Sequence, residues 1–143
     1  MKAWITLADY AQVHVGKLFL VGGGINLTGP GPVTMGVAVE VLIPWDQRSR
    51  KNRLKVALYD GDGRPFMVQT PLGQAPMEVQ AEFETAPAPG TPAGSELPFE
   101  LAFNVVNLVL TPGQTYEWRL LIQGEEDAST VKTFAVRAPQ GAL

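Results

Sequence analysis

Apolar and polar residues alternate with a period of two along most of this chain. The clearest case is segment 77–84, which reads Met-Glu-Val-Gln-Ala-Glu-Phe-Glu. Because successive side chains of a strand point to opposite faces, this order puts the apolar side chains on one face and the polar ones on the other. An α-helix would spread the same apolar side chains around its circumference. The pattern therefore predicts a half-buried β-strand.

Similar alternating runs recur throughout the sequence, and a helical period of 3.6 is nearly absent. The longest run is Val33–Ile43, which ends at Pro44. Arg64–Thr70 is expected to be a hairpin partner across the turn Asp60–Gly63, whose residues tolerate positive φ. The pattern predicts about nine strands and no helix. The other strand segments are 3–8, 17–22, 54–58, 97–105, 116–122 and 132–137.

Turn-forming residues separate the predicted strands. The chain has 15 glycines and 12 prolines among 143 residues, and many of them lie at the ends of the alternating runs or in the loop 85–95. Many short strands, each with one solvated face, are typical of a two-layer antiparallel β-sandwich. We therefore expect residues 1–143 to form one all-β domain, an immunoglobulin-like or C2-like Greek-key sandwich, with a β-barrel as the alternative.

Few residues in the chain could support catalysis. There is no cysteine, and His14 is the only histidine. Thiolate metal sites and thiol nucleophiles are therefore excluded, and little material is left for a histidine-based triad. The three serines, Ser49, Ser95 and Ser129, all lie in segments predicted to be loops. We expect no enzyme activity, no catalytic or metal-binding residues and no cofactor.

A cluster of charged and aromatic residues follows the longest strand. Of the three tryptophans, Trp45 is the one expected to be exposed, because it follows Pro44 at a strand end, whereas Trp118 lies on an apolar face. The run 47–53 and Lys55 hold five of the eleven basic residues. The net charge of −3 and the lack of aromatic residues within the run argue against nucleic acid as the partner. We predict a protein contact formed by Trp45, Asp46, Arg48, Arg50 and Lys51.

The strand Val33–Ile43 also bears on self-association. Ala38 and Leu42 lie on its second face, so both faces are expected to be covered, either by the protein itself or by another copy. We expect a non-catalytic binding or assembly module that acts through protein–protein contacts, forms a homodimer and has a further, unknown protein partner.

A ligand-binding sandwich is the alternative function. Asp60 and Asp62 could join Asp46 and the acidic loop 125–127 in a calcium site for lipid, although Arg64 interrupts the spacing of an EF-hand. The tryptophans could instead stack on a carbohydrate.

The N-terminal segment does not read as a signal peptide. Asp9 interrupts the apolar run 3–8, and no small-residue cleavage site follows. No segment approaches the ~18–20 apolar residues of a membrane span. We expect a cytoplasmic protein without membrane contact.

Short motifs along the chain carry a family resemblance. They are Ala8–Val13, Gly16–Leu18 and Gly22–Gly24 near the N-terminus, and Pro44–Asp46 and Leu110–Gly113 with Tyr116 and Gly124 further on. Together they resemble a family of uncharacterised bacterial proteins, mainly actinobacterial, whose function is unknown. The resemblance implies a small all-β protein and supplies no catalytic residue. It singles out Trp45, Asp9 and Tyr10, for which a structural role is the alternative: Asp9 in a turn and Tyr10 over a sheet edge.

Overall fold

A computed structural model describes residues 1–139 of the chain. The last four residues of the predicted domain, 140–143, lie outside the described part. Two 3₁₀ turns occur, at Trp45–Gln47 and Glu126–Ala128, and no helix among the described residues is long and apolar enough to cross a membrane. The twelve strands are β1 (Lys2–Ala8), β2 (Tyr10–His14), β3 (Lys17–Val21), β4 (Leu27–Thr28), β5 (Val33–Ile43), β6 (Asn52–Asp60), β7 (Met67–Thr70), β8 (Gly73–Pro76), β9 (Glu78–Phe83), β10 (Leu97–Leu108), β11 (Thr115–Ile122) and β12 (Thr130–Val136).

These strands form two main sheets and two separate hairpins. The first sheet has the order β1-β5-β10 and is antiparallel throughout. The second has the order β4-β12-β11-β6-β9, in which only the two-residue strand β4 runs parallel to its neighbour. The hairpins are β2–β3 and β7–β8. Neither main sheet closes on itself, so the β-barrel alternative is wrong.

Side chains from both main sheets form one hydrophobic cluster. Trp118 of β11 has no exposed surface, and the ring of Phe103 of β10 meets it edge to face with centroids 5.6 Å apart. Phe83 of β9 stacks on Phe99 of β10 at 4.3 Å. These aromatic pairs join one sheet to the other, and the predicted core position of Trp118 is confirmed.

The period-two pattern located nine of the twelve strands. The predicted number is too low because β2, β4 and β8 are too short, or too irregular in polarity, to show an alternation. The predicted pairing of Arg64–Thr70 is only partly right. A single bridge joins Tyr59 to Pro65, and Met67–Thr70 pairs with Gly73–Pro76 instead of with β6.

Strand β5 is the centre of the first sheet, and its inner face is buried along its whole length. Its outer face is buried only in the middle, since Thr34 and Glu40 are exposed and Leu42 is half-buried. One face points into the hydrophobic cluster through Met35, Val37 and Val39, none of which has exposed surface. On the other face Gly36 and Ala38 are also buried, although no second sheet lies there. The hairpin β2–β3 covers them. The burial of Gly36 and Ala38 is thus explained within one chain and gives no separate support for a homodimer.

We call residues 10–21, the hairpin β2–β3 with its turn, the arm. The chain leaves β1 at Ala8, turns at Asp9 and crosses the outer face of the first sheet. It passes so close to β5 that a Cβ atom on Gly36 would lie 2.6 Å from the backbone nitrogen of Ala11 and 2.8 Å from the carbonyl carbon of Tyr10. Only glycine leaves room for the arm at this position.

The close approach at Gly36 predicts a large effect for a single methyl group. Gly36→Ala should lower the free energy of unfolding by roughly 1–3 kcal/mol, because the backbone of the arm has to move away. Urea denaturation followed by tryptophan fluorescence measures the change. Gly29→Ala is the matched control, since a Cβ there meets no atom within 4 Å, and its effect should stay within about 0.5 kcal/mol. Equal effects of the two substitutions would contradict the close approach.

Candidate functional site

The predicted contact residues lie in the loop between β5 and β6. Trp45 begins the 3₁₀ turn that follows Pro44, and its ring packs against the edge of the hydrophobic cluster. The Arg48 guanidinium lies 4.7 Å above the centre of that ring, and Arg48 Nη1 donates a hydrogen bond to the Trp45 carbonyl at 2.9 Å. Trp45 and Arg48 are therefore brought together as one unit.

The expectation that Trp45 is the exposed tryptophan is wrong. Trp45 is half-buried, because its ring packs against the core and is also contacted by the Arg48 guanidinium. Trp4, on the edge strand β1, is 46% exposed instead. It lies on the outer face of the first sheet in the part that the arm does not reach.

Most cations of the basic run have partners within the protein. Arg50 lies 3.8 Å from Glu125, Arg53 lies 2.7 Å from Glu82, and Lys55 lies 3.9 Å from Glu78. A groove of about 360 Å³ runs beside them and is lined by charges of both signs, including those of Arg50, Lys51 and Glu82. Asp46 and Lys51 are exposed and do not touch the Trp45–Arg48 pair through any ion pair or hydrogen bond of the described residues. The predicted residues thus form one stacked pair and three separate charged groups.

The acidic turn Asp60–Gly63 is held by its own hydrogen bonds. Asp60 Oδ1 accepts the backbone N–H groups of Asp62 and Arg64 at 2.9 and 3.0 Å. These bonds are typical of an Asx turn. In residues 1–139 no three histidine or carboxylate side chains come together in a way that would hold a metal ion.

A second surface, which the sequence did not predict, lies on the arm. Tyr10, Phe19 and Val21 project from the face of the arm that points away from the sheet, and they are 45%, 50% and 60% exposed. Tyr10 and Val21 are directly opposite each other in the hairpin. We call these three residues the arm surface. Three large apolar side chains on one small hairpin form a contiguous exposed patch.

The arm is fixed to the sheet by one side chain of β10. Asn104 Oδ1 accepts the backbone N–H of Ala11 at 3.0 Å, and Asn104 Nδ2 donates to the Ala11 carbonyl at 2.9 Å. The amide side chain thereby takes the place of a neighbouring strand. At the base of the arm, the Asp9 N–H donates to the Val21 carbonyl, and the Gly24 N–H donates to the Leu7 carbonyl.

The turn at the tip of the arm is strained. Val15 and Gly16 have φ values of 49° and 66°. Two successive positive φ values are the mark of a type I′ turn, which normally carries asparagine, aspartate or glycine at both positions. A β-branched residue with positive φ is a genuine outlier, and the side chain of Val15 is 81% exposed.

Sequence reasoning missed the arm surface because β2, Tyr-Ala-Gln-Val-His, has too few apolar residues to be recognised as a strand. Its turn also lacks the usual Asn-Gly or Asp-Gly pair. The available signal was the family resemblance, which singled out Asp9 and Tyr10. Tyr10 lies over the sheet in the arm. Asp9 lies at the base, where its carboxylate fills the space that a Cβ on Gly22 would need.

The two hydrogen bonds from Asn104 predict that the arm loosens when they are lost. Asn104→Ala should lower the free energy of unfolding by about 1–3 kcal/mol, since the Ala11 backbone groups lose their partners. It should also speed tryptic cleavage after Lys17, because a detached arm fits a protease more easily. Gln12→Ala is the control, as Gln12 lies on the outer face of the arm and does not contact Asn104 through a hydrogen bond. Unchanged cleavage of Asn104→Ala would contradict the anchoring role.

Comparison with known proteins gives a family and no function. No curated protein matches this sequence. The model of a family described as being of unknown function, DUF6941, matches residues 3–134. The matched segment includes the arm, Gly36, Asn104 and all but the end of the second sheet. The chain therefore belongs to DUF6941, a family of unknown function.

Proposed function

We propose that this protein is a non-catalytic binding or assembly module, and that the arm surface is its contact for a protein partner. The observation that carries the proposal is the exposure of Tyr10, Phe19 and Val21 on an element that is fixed to the sheet. Aromatic side chains are enriched among the residues that dominate binding energy at protein interfaces. Apolar patches on an anchored element are a common feature of such interfaces.

The anchoring of the arm supports this function energetically. A flexible hairpin would lose conformational entropy on binding, which weakens an interface. Here Gly36 and Asn104 hold the arm before any partner arrives. The exposed side chains are therefore presented in a preorganised form, and little further ordering is needed when a partner binds.

We also propose that the two main sheets form an immunoglobulin-like sandwich. In that fold strands A, B and E belong to one sheet and strands C, F and G to the other. If β1, β5 and β10 are taken as A, B and E, then β6, β11 and β12 correspond to C, F and G. Tyr116 near the start of β11 accepts the N–H of Thr111 at 2.9 Å. This contact resembles the tyrosine corner of such sandwiches, and it favours this topology over a C2-like one.

The loop after β5 is the second proposed contact, with Trp45, Asp46, Arg48, Arg50 and Lys51. Because Arg50 is paired with Glu125 and Arg48 stacks on Trp45, the loop presents a mixed polar surface rather than a row of free cations. Such a surface suits a protein better than a polyanion, whose phosphates need several free cations. We further propose a cytoplasmic location, because Asp9 interrupts the apolar run 3–8, and a bacterial origin, which the family resemblance implies.

A ligand-binding role has less support. A calcium site would need several carboxylates, and Glu125 lies beside Arg50 rather than beside Asp60. A sugar platform would need exposed aromatic rings close together, whereas Trp45 is half-buried and Trp118 is in the core.

The arm surface predicts the loss of a partner on substitution. Tyr10→Ser with Phe19→Ser should abolish retention of the partner in affinity capture from the native host, because the apolar anchors are gone. Both side chains are about half exposed, so the melting temperature should change little. Leu72→Ser is the matched control, since Leu72 is fully exposed at the turn of the other hairpin.

Quantitative mass spectrometry of the retained proteins reads out this comparison. The proposal requires a protein that wild type and Leu72→Ser retain and the arm variant loses. After purification, that partner must bind wild type and Leu72→Ser but not the arm variant. Identical sets of retained proteins for all three chains would contradict it.

The loop after β5 is tested separately. Arg48→Ala with Arg50→Ala should leave the fold intact, because both guanidinium groups lie at the surface and exposed ion pairs contribute about 0–1 kcal/mol. The variant should weaken binding of the partner if the loop contacts it, as measured by titration calorimetry. Unchanged affinity would remove the loop from the proposed interface.

A further inference from the structure

Strand β10 leaves a long edge of the first sheet without a neighbouring strand. It pairs with β5 on one side only, and no other strand of the described part pairs with it. Its residues 99–103 are all half-buried, on both faces, whereas β5 beside it is buried from Met35 to Val39. An edge of this kind presents unpaired N–H and C=O groups to which another strand can bind.

The other edges are shorter or better protected, and the edge strand β4 has only two residues. β9 is six residues long and carries Glu78 and Glu82, and charged side chains discourage pairing with another strand. The edge of β1 is partly occupied, because Gly24 and Ile25 both donate hydrogen bonds to the Leu7 carbonyl. The regular part of β10 has one charged residue, Glu100.

The arm extends beyond the edge of β10. Its path runs from Ala8 on β1 over Gly36 on β5 to Asn104 on β10, which Ala11 reaches. Three more residues lead to His14, a distance of about 10 Å, or roughly two strand spacings. The tip of the arm therefore lies above the position that a further strand paired with β10 would occupy.

The face of the arm tip that points towards the plane of the sheet, which we call the underside, is apolar. Val13 and Leu18 are directly opposite each other in the hairpin, on the same face as Ala11, which is buried against the sheet. Ala11 has β10 beneath it, whereas Val13 and Leu18 lie further out. Val13 is exposed and Leu18 half-buried. A strand added to β10 would cover both.

We propose that β10 of a second copy pairs antiparallel with β10, so that each arm covers the first sheet of the other copy. This proposal rests on the proposed assembly function and names a second copy as the partner. It uses the underside and tip of the arm, and it leaves the arm surface of Tyr10, Phe19 and Val21 free for another protein.

The register follows from where β10 is regular. Pro98 has no N–H to donate at one end, and a register shift follows Val105 at the other. The midpoint of the intervening segment 99–105 is Ala102, so a two-fold axis there uses the whole segment. Phe99 then faces Val105 and Leu101 faces Phe103, apolar against apolar. Glu100 of one copy faces Asn104 of the other. One Nδ2 hydrogen of Asn104 is bonded to the Ala11 carbonyl, and the second can be donated to the Glu100 carboxylate.

Charge complementarity identifies a second copy as the occupant. Glu40 and Glu100 are directly opposite each other on the outer face of the first sheet, and neither forms an ion pair within residues 1–139. Like charges in this arrangement destabilise a sheet. Lys17, at the tip of the arm, lies opposite His14 on the outward face of the hairpin and is likewise without an ion pair in the described residues. Its flexible four-carbon side chain can bend around the edge of the arm towards these carboxylates. In the symmetric pairing the arm extends from Asn104 of one copy across Glu100 towards Glu40 of the other.

Disulfide formation tests the register directly. Cα atoms of directly opposed antiparallel residues lie about 4.5–5.5 Å apart, within the range of a disulfide. The chain has no native cysteine, so an Ala102→Cys variant reports on this position alone. Under mild oxidation it should form a covalent dimer rapidly. Gln80→Cys, on the edge strand β9, is the matched control and should not. Equal rates for the two variants, or no cross-link at position 102, would overturn the proposed pairing.

A charge exchange tests the contact between arm and sheet. Light scattering after size-exclusion chromatography should show a dimer of the wild-type chain. Lys17→Glu and Glu40→Lys should each raise the dissociation constant about tenfold, because the contact occurs twice and attraction becomes repulsion. The double variant Lys17→Glu with Glu40→Lys should have a dissociation constant within about threefold of the wild-type value. Lys51→Glu, in the loop after β5, is the control and should have no effect.

The outcomes separate this proposal from the proposed function. A wild-type chain that stays monomeric at roughly 100 µM, or single charge variants that the double exchange does not rescue, would overturn the second copy as the occupant. The proposed function survives that result if the arm-surface variant still loses its protein partner. Conversely, Tyr10→Ser with Phe19→Ser should leave the dimer intact, so loss of the dimer in that variant would overturn the assignment of separate surfaces.

Discussion

The close contact between the arm and strand β5 at Gly36 is the constraint on which the rest of the structure depends. β5 is the central strand of the first sheet, and its inner face is covered by the hydrophobic cluster. Without the arm, the middle of its outer face, at Gly36 and Ala38, would be open. Gly36 lets the backbone of Ala11 approach, and Asn104 then satisfies both polar groups of Ala11. One glycine and one amide side chain thus hold the arm over the middle of an otherwise open three-stranded sheet.

The same constraint explains where the proposed contact surfaces lie. An arm anchored across the sheet has to turn one face outward, and that face carries Tyr10, Phe19 and Val21. Because the arm is longer than the sheet is wide at this point, its tip also extends beyond β10. The two contact surfaces that we propose therefore belong to a single element. The strain at Val15 lies at that tip, away from the anchored part.

Much of the fold could be predicted from the sequence, and most of the candidate site could not. Regular strands such as β5 and β9 bury one face against a core, so their residues alternate in polarity and the pattern is visible locally. The arm does not follow this rule, because it packs through backbone groups and two small residues, Gly36 and Ala11. The hydrogen bonds from Asn104 join residues 93 positions apart, and nothing in the local pattern around Ala11 or Asn104 indicates them. The exposure of Trp45 was predicted wrongly for a similar reason. The Arg48 guanidinium contacts its ring only because the 3₁₀ turn brings the two residues together.

Amide hydrogen exchange of the wild-type protein, followed by NMR, tests the central claim most directly. If the arm is locked across the sheet, the amide of Ala11 should exchange as slowly as amides of β10, because its hydrogen is held by Asn104 Oδ1. The amide of Gly16, at the exposed tip, should exchange far faster. An Ala11 amide that exchanges as fast as that of Gly16 would show a mobile hairpin. That result would contradict both the anchoring and the surfaces derived from it.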